Sequence, residues 1–511
     1  MSSINQLAKG TLQDTLDWIQ RLHPLDIIDA IADAKAMADK EAIITINAKA
    51  NQVLKRVVWA ALNTELSFHT KSLEYTPPAT SLFGGVEHKY TVEEVIGMLL
   101  ELDTKGSCNG ADKSRINAAY STLDKQDRAL IDIVVSRKVQ CGAGLAKWRK
   151  AWGDEFLPEF PCYLSSAFDE AAIIKNIFYD ADGKRNPHAR SEVKSDGQRC
   201  MAKIMRDGIK LHSRNGKQYI GLTRLEVELA LLEWDKSVYG DEVVIDGELV
   251  VLDEDGNIIE RSKGNGMISK ALKGTMTKAV SDRVVFVVWD IIPMREFTGE
   301  IPLGSPEKLM WCDRNFELEE VVNGLWDDYE DDDLGDCPVR LQQGINVKDI
   351  GEAMQHYGDM VMAGEEGTIL KNIYADWEPC PNKKRPTSQY KFKEVFEADF
   401  IITGWYKGKK GGKYENAIGG FNIQSSCGMV VSNCGGGLSD DVRFHSDPDS
   451  FIGQIMNGEY NGRSKAEGRE TFSLTHPRLS EFRPERTEAD SLERIIEQEA
   501  AARELKACMG A

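Results

Sequence analysis

Five short stretches bring together residue types that suit chemistry at phosphorus: "SEVKSDGQRC" (191–200), "DGELV" (246–250), "FVVWD" (286–290), "EEGTILK" (365–371) and "YKFKE" (390–394). Lys194 stands two residues before Asp-Gly and five before Arg199. A lysine amine is a nucleophile toward phosphorus once it is deprotonated, and neighbouring cations such as Lys391 and Lys393, or a bound metal, lower its pKa. Glu248 and Glu366 supply the hard carboxylate oxygens that Mg²⁺ prefers. Trp289 offers a flat aromatic face to a heterocycle, and Asp290 beside it is placed to orient polar groups. A transition state that spreads negative charge over phosphate oxygens calls for lysines and a divalent cation around it. Each charge alone also fits an ordinary strand face. A lysine-spacer-Asp-Gly match recurs by chance in about one chain in ten of this length, and requiring Arg199 lowers that to about one in two hundred.

The elements that must carry these residues fall into three textures. Residues 1–165 read as helices, with apolar residues at three- and four-residue steps through "TLDWIQRLHPLDIIDAIADAKAMA" and "VLKRVVWAALNTEL". Thr91 and Glu94 form a capping-box pattern that starts another helix. Residues 166–396 are dominated by short β-rich runs, among them "CMAKIMR", "DEVVIDGELVVLD", "RVVFVVWDII" and "YKFKEV", interleaved with helical stretches, a mixed α/β or α+β texture. Within it "DEDGN" (253–257) reads as a hairpin turn, because the later ligands of a calcium loop are missing. From 397 the strands are short with Gly-rich turns, which suits a small barrel of the oligonucleotide-binding type or another small β fold, and "EADSLERIIEQEAAARELKAC" reads as a polar amphipathic helix or tail.

Composition bounds the partners. The chain of 511 residues is 41% hydrophobic and 28% charged, too long for one core and without an apolar run near the ~18 residues of a membrane span, so a soluble protein of the cytosol is expected. Ten cysteines are scattered with no CxxC spacing; Cys427 and Cys434 are seven apart, and all read as free thiols. Much of the net charge of −19 sits in "DRNFELEEVVNGLWDDYEDDDLGD" (313–336), which reads as a solvated insertion or loop. Basic residues gather at 136–150, 201–217, 261–274, 382–393 and 406–413, with Gly, Ser, Asn or aromatic residues able to approach a phosphate backbone. In "SRKVQCGAGLAKWRK", Gly142 and Gly144 let backbone amides approach phosphates, and Arg137, Lys147, Arg149 and Lys150 add charge beside Trp148. No base-reading helix stands out, which favours a sequence-independent grip on duplex.

With these stretches in this order the chain resembles the covalent nucleotidyltransferases: ATP-dependent DNA ligases, RNA ligases and capping enzymes share a KxDG-R element, a DGE strand, an aromatic-Asp strand, an EGxxxK strand and a KxK strand. "HPRLSEFRPER" (476–486) is similar to the last ligase motif, Pro-Arg followed by Arg-x-Asp-Lys, which in that family orients the pyrophosphate leaving group, but has Glu485 and Arg486 where Asp-Lys is usual. Arginine does not replace lysine in geometry. "SRKVQCGAGLAKW" followed by "YLSSAFDE" resembles the join between a helical DNA-binding domain and the catalytic domain of DNA ligases, and "GNGMISKALKGTM", "VWDIIP" and "EEGTILKNI" fit the ligases of T-even-type bacteriophages.

The resemblance implies a multidomain α+β protein: an all-α DNA-binding domain (1–165), an α+β nucleotidyltransferase (adenylation) domain (166–396), and a C-terminal β-barrel OB-fold domain with a helical tail (397–511). It implies Lys194 as the nucleophile that takes AMP from ATP, with Lys391, Lys393 and Arg483 in the catalytic set. Glu192 is then expected at the adenine edge, Trp289 on the adenine face, Arg199 near the ribose and reacting phosphate, Lys371 and Arg486 on the nucleotide, and Arg214 on the 5′-phosphate of a nick. Glu248 and Glu366 are expected to hold Mg²⁺, with Mn²⁺ tolerated. Nicked double-stranded DNA is the expected partner of a monomer, in the host cytoplasm if the chain is phage-encoded. An RNA-end ligase or capping enzyme, and a nick-binding protein without catalysis, are the alternatives; the helical first domain favours DNA and the complete set of charged residues favours catalysis.

Overall fold

The computed structural model describes residues 22–77, 88–153, 156–157, 160–180, 182–331, 336–380, 385–409, 413–465 and 468–508. The start of the first periodic segment and parts of the basic stretches at 382–393 and 406–413 lie outside these residues. The chain divides into two compact units, one of residues up to Phe160 with Asn215–Gln218, the other of Pro161–Arg214 with Tyr219–Ala511.

The first unit is built from α1 (Pro24–Asp33), α2 (Met37–Ala50), α3 (Gln52–Leu62), α4 (Val92–Lys105), α5 (Gly110–Thr122), α6 (Lys125–Ser136) and α7 (Leu145–Trp152). The capping box expected at Thr91 forms with Glu94, and Gly106 ends α4 in the left-handed region at φ 71°. A cap of this kind stabilises its helix by about 1 kcal/mol. The apolar stripes meet in one core that includes Ile27, Ile31, Leu54, Val57, Ile96, Leu99, Ile131 and Trp148.

In the second unit, helix α8 (Glu170–Ile177) follows β1 (Ser166–Ala167). The other strands that build its three principal sheets are, in chain order, β2 (Ala189–Val193), β3 (Gln198–Met205), β4 (Gly208–Ser213), β5 (Val243–Val251), β6 (Val284–Pro293), β7 (Val339–Leu341), β8 (Gly344–Val347), β9 (Gly367–Lys371), β10 (Gln389–Lys393), β11 (Phe396–Lys407), β12 (Ile418–Gln424), β13 (Val431–Cys434), β14 (Ile455–Tyr460) and β15 (Arg478–Phe482). The first sheet has the order β1-β10-β9-β2-β8, the second contains β4-β3-β5-β6-β7, and the third runs β13-β12-β11-β14-β15. Helices α9 (Arg261–Leu272), α10 (Trp311–Asp331), α11 (Ile350–Met362) and α12 (Leu492–Cys508) pack on them.

Alternation along the strands separates core from cleft. On the first sheet Leu370, Tyr390 and Phe392 turn to a core with Ile173, Tyr357 and Val361. On the second, Cys200, Ala202, Ile245, Leu249, Phe286 and Val288 turn inward. "DEDGN" is the expected hairpin turn: the Asp253 side chain accepts from the N–H groups of Asp255 (3.0 Å) and Asn257 (2.9 Å), and Leu252 bridges Ile258.

The third sheet is antiparallel and open in its strand order. Its edge strands β13 and β15 approach at one isolated bridge, Gly436 with Arg478, where the Leu479 N–H donates to the Gly436 carbonyl at 2.9 Å. Phe400, Ile402, Phe421, Ile423, Met456 and Ile495 of α12 form its core.

The acidic tract corrects the sequence reading. Residues 313–331 lie in α10 rather than in a solvated loop, and 332–335 fall outside the described residues. Leu318, Val321, Val322, Leu325 and Tyr329 are buried in the core of the second sheet, a helical stripe that the density of carboxylates obscures. Arg314 in its first turn is fully buried and donates to both oxygens of Asp290, at 2.7 Å from Nε and 3.0 Å from Nη2. Asp290 thus orients a buried arginine of the fold.

Arg314→Ala leaves the Asp290 carboxylate without its cation in the core and is expected to destabilise the second unit by about 3–5 kcal/mol. A clear fall in the melting temperature checks this, with Arg314→Met/Asp290→Asn expected to recover part of the loss; an unchanged melting temperature in Arg314→Ala would refute the assignment.

Candidate active site

Three neighbouring strands of the first sheet carry most of the charged candidates on one face. Glu192, Ile369 and Lys391 lie in one cross-strand row, and Arg190, Lys371 and Gln389 in the next. One step the other way, the Lys194 N–H donates to the Gly367 carbonyl at 2.9 Å, and Gly367 pairs with Lys393. Period-two spacing in "SEVK", "GTILK" and "YKFK" therefore aligns Lys194 and Lys393 on either side of a residue that has no side chain. Gly367 has φ 142°, and a Cβ there would collide with the Phe392 carbonyl.

Lys194 is largely covered, with its side chain 23% exposed, and its Nζ makes an ion pair with Glu366. Glu366 also lies 3.6 Å from Arg261, which in turn makes a 2.6 Å ion pair with Asp196. Burial pushes the Asp196 carboxyl up to about 6, reinforced by the charge of Glu366 and opposed by Arg261. Burial also raises Glu366, but the ion pair with Lys194, Arg261 and a hydrogen bond from Asp196 outweigh it and bring its carboxyl below the usual range. Burial lowers Lys391 and Lys393; for Lys391 the next cause is the Lys393 charge, whereas for Lys393 the charge of Glu366 opposes the fall before Lys194 adds to it. Lys393 donates to Asn461 at 3.0 Å.

The second sheet supplies the facing groups. Arg199 on β3 is opposite Glu248 on β5, and Asp246 is opposite Asp290 on β6. The register then slips so that Gly247 faces Val288, which leaves Trp289 as the extra residue of a bulge. Arg199 is held bidentately by Asp246, at 2.9 Å from Nε, donates through Nη1 to the Tyr163 carbonyl at 2.6 Å, and lies 5.5 Å over the Trp289 ring. The Gly197 N–H donates to Glu248 at 3.2 Å, and a Cβ on Gly197 would collide with the Leu249 carbonyl, so "KSDG" accepts only glycine at its end. Burial pushes the Glu248 carboxyl up to about 7, against the charges of Lys194 and Arg199. Deeper in the first sheet Lys371 and Glu192, both buried, form a 2.6 Å ion pair, with Lys371 5.3 Å over the Trp311 ring. A cavity of about 670 Å³ opens beside the lysine loop, lined among others by Ser195, Asp196, Arg261, Arg340, Glu366 and Asn461.

The second unit thus gathers Glu192, Lys194, Arg199, Glu248, Trp289, Glu366, Lys371, Lys391 and Lys393. Arg214 is exposed, and its charge reaches Lys391. Arg483 and Arg486 lie after β15, with their guanidinium groups against Asp399. Asp246, Asp196 and Arg261 are site residues that sequence reasoning did not single out. The first two stand inside quoted motifs, whereas Arg261 has no local signal beyond a basic stretch. Among the described residues no cluster of three or more His, Cys, Asp or Glu side chains forms a ready metal cage. Glu248 and Glu366 suit a hard cation that keeps most of its water.

In the first unit Gly142 and Gly144 are exposed, Gly142 at φ 70° and Gly144 as the N-cap of α7. Lys147 and Lys150 both pair with Glu41, the latter at 3.1 Å. Two of the expected phosphate contacts are partly or fully buried instead. Arg149 is buried, and Arg137 donates to the Asn63 carbonyl with its pKa lowered by burial to about 10. Arg149 thus does not present its guanidinium to solvent, and Arg137 is half-buried.

Residues 170–393 match the model of the ATP dependent DNA ligase domain. Its KxDG, DGE, EGxxxK and KxK residues fall within the matched segment. Over 512 residues it is 29% identical to the DNA ligase of Enterobacteria phage T6, covering 92% of this chain and 98% of that protein, and equally so to the DNA ligase of Enterobacteria phage T4. A solved structure named Pmar-Lig_PreS3 shares the fold at 18% identity, with a TM-score of 0.56 over 90% of this chain and 99% of its own. No described helix is long and apolar enough to cross a membrane.

Glu248 has an ordinary value of 4.5 and titrates at about 7 in the fold, so between those pH values the folded protein holds more protons than the unfolded one. Its contribution to stability is present below pH 4.5 and is lost as pH rises to 7. Glu248→Gln is therefore expected to gain melting temperature relative to the parent at pH 8 and to lose that advantage at pH 5, both without divalent cation. A difference that does not change with pH would refute the shift.

Proposed function

We propose that this protein is an ATP-dependent DNA ligase that seals nicks in duplex DNA through a lysyl-AMP intermediate. The observation that carries the reading is the position of Lys194: on one face with Lys391 and Lys393, paired to Glu366, and facing Glu248 from the neighbouring sheet. In the first step the Lys194 amine, after giving up its proton, attacks the α-phosphorus of ATP; a P–N bond forms, the bond to the β-phosphate oxygen breaks, and pyrophosphate leaves. In the second, an oxygen of the nick 5′-phosphate takes the AMP and Lys194 is released. In the third, the 3′-hydroxyl attacks that phosphate, AMP leaves, and the strand is continuous.

Lys391 and Lys393 face the charge that develops on phosphate oxygens, and burial, with neighbouring cations adding to it, depresses their pKa. Arg199 is fixed by Asp246 beside Trp289, a rigid edge for a ribose and a face for adenine. Glu192 and Lys371 hold one another at the base end of the cleft, and Arg214 is exposed for the nick 5′-phosphate. Glu248 and Glu366 would hold Mg²⁺, or Mn²⁺ in its place, which supplies electrophilic help to the reacting phosphate when bound.

The division into a helical DNA-binding part (1–165), an adenylation part (166–396) and an OB-type part (397–511) belongs to this reading. The open five-stranded third sheet, whose edges meet at Gly436, supports the OB assignment. The exposed glycines at 142 and 144 and the lysines at 147 and 150 support a backbone grip on nicked DNA by a monomer.

Intact-mass spectrometry after ATP and Mg²⁺ is expected to show one AMP per chain, lost on acid treatment, absent from Lys194→Ala, and discharged as a nicked duplex is sealed. Failure to form the adduct, in material shown to carry no pre-bound AMP, would sink the ligase reading.

A further inference from the structure

Arg483 and Arg486 are the cations of "EFRPER" that the ligase reading brings to the leaving pyrophosphate, and the third sheet holds them in a specific way. The Arg486 N–H donates to the Arg483 carbonyl at 3.0 Å, which closes a turn, and the Arg483 N–H donates to the Ile455 carbonyl at 2.8 Å, which ties that turn to β14. The guanidinium groups meet a buried carboxylate on β11. Arg486 Nε lies 2.9 Å from Asp399 Oδ2, and Arg483 Nε lies 3.9 Å from Asp399 Oδ1.

Asp399 is 2% exposed and is fixed from several elements. Its Oδ1 accepts from Asn457 Nδ2 at 3.0 Å, and its N–H and carbonyl both pair with Asp490, each at 2.8 Å. Asp490 lies in turn 3.8 Å from Arg486 Nη1. A carboxylate this buried needs a cation beside it, and the nearer of the two it holds, at 2.9 Å, is the last residue of the motif.

We propose that Asp399 is a positioning residue for the lysyl-adenylation step: it anchors the 483–486 turn through Arg486 so that Arg483 is presented to the leaving pyrophosphate. This rests on the ligase reading. It also accounts for the departure from the Arg-x-Asp-Lys pattern. A guanidinium has donors on several sides and can reach Asp399 and Asp490 together, whereas an ammonium is a compact point charge. Glu485, in place of the usual aspartate, lies 3.3 Å from Arg483. Arg486 is then an anchor, and Arg483 is the phosphate contact.

The test separates two reactions of the full chain: formation of the lysyl-AMP adduct from ATP and Mg²⁺, and sealing of a nick that already carries a synthetic 5′-adenylate. Asp399→Asn is expected to slow the first by about a hundredfold, as a misplaced reacting group does, and to leave the second at the parental rate; Arg486→Lys is expected to fall between. Equal slowing of both reactions, or of neither, overturns the proposal. Should Asp399→Asn fail to melt as a folded protein, Arg486→Gln, altered at a side chain 45% exposed, is read by the same comparison. Parent protein that forms no adduct refutes the ligase reading on which the proposal stands, whereas a parent that forms it with equally slowed variants refutes this inference alone.

Discussion

The low-dielectric cleft between the first two sheets forces its charges to be paired within the protein, and most of the site's geometry follows from that. An isolated ion in such a place costs several kcal/mol, so the folded chain keeps cations and carboxylates together. Asp246 holds Arg199, Glu192 holds Lys371, Arg314 holds Asp290, and Glu366 holds Lys194. Each pair joins two different elements, so the same contacts that neutralise charge also fix the positions of strands and helices. The groups that the proposed reading assigns to a nucleotide are thereby aligned in advance.

Backbone register gives the pairs their places. Alternation puts Glu192 and Lys194, Ile369 and Lys371, Lys391 and Lys393 on a single face, and the bulge in β6 turns Trp289 toward Arg199. This part of the site was legible in the sequence, because strand periodicity is local and survives in the order of letters. The capping box of α4 and the turn at 253–257 were legible for the same reason.

What escaped the sequence depends on contacts across long separations. Arg261 meets Asp196 and Glu366, sixty-five and one hundred and five positions away, and nothing in "ERSKGNG" announces that pairing. The acidic tract concealed the apolar stripe of α10 because carboxylates on the solvent face do not interrupt a helix whose other face is buried. Arg149 reads as a phosphate contact by charge alone, yet the fold buries it, and a basic letter does not state which way its side chain points. The roles at the pyrophosphate end were legible only through resemblance, and the contacts of Asp399, eighty-seven residues before Arg486, were not legible at all.

Charge pairing also bears on how the cleft passes through the proposed covalent state. When the Lys194 nitrogen bonds to phosphorus it no longer carries the positive charge that faces Glu366. Two carboxylates, Asp196 and Glu366, then share the neighbourhood. Arg261 lies within ion-pair distance of both and does not react, so it can go on compensating them. Asp196, already pushed up to about 6, can take a proton at modest cost. The site is therefore built around one cation that is consumed and one that stays, and the second sits on α9, whose Asn265 carbonyl and Ser269 hydroxyl are anchored by Gln198 from the strand that also carries Arg199. Those contacts join the helix that carries Arg261 to the strand that carries Arg199, so a change in the charge of Lys194 meets groups whose contacts are already made.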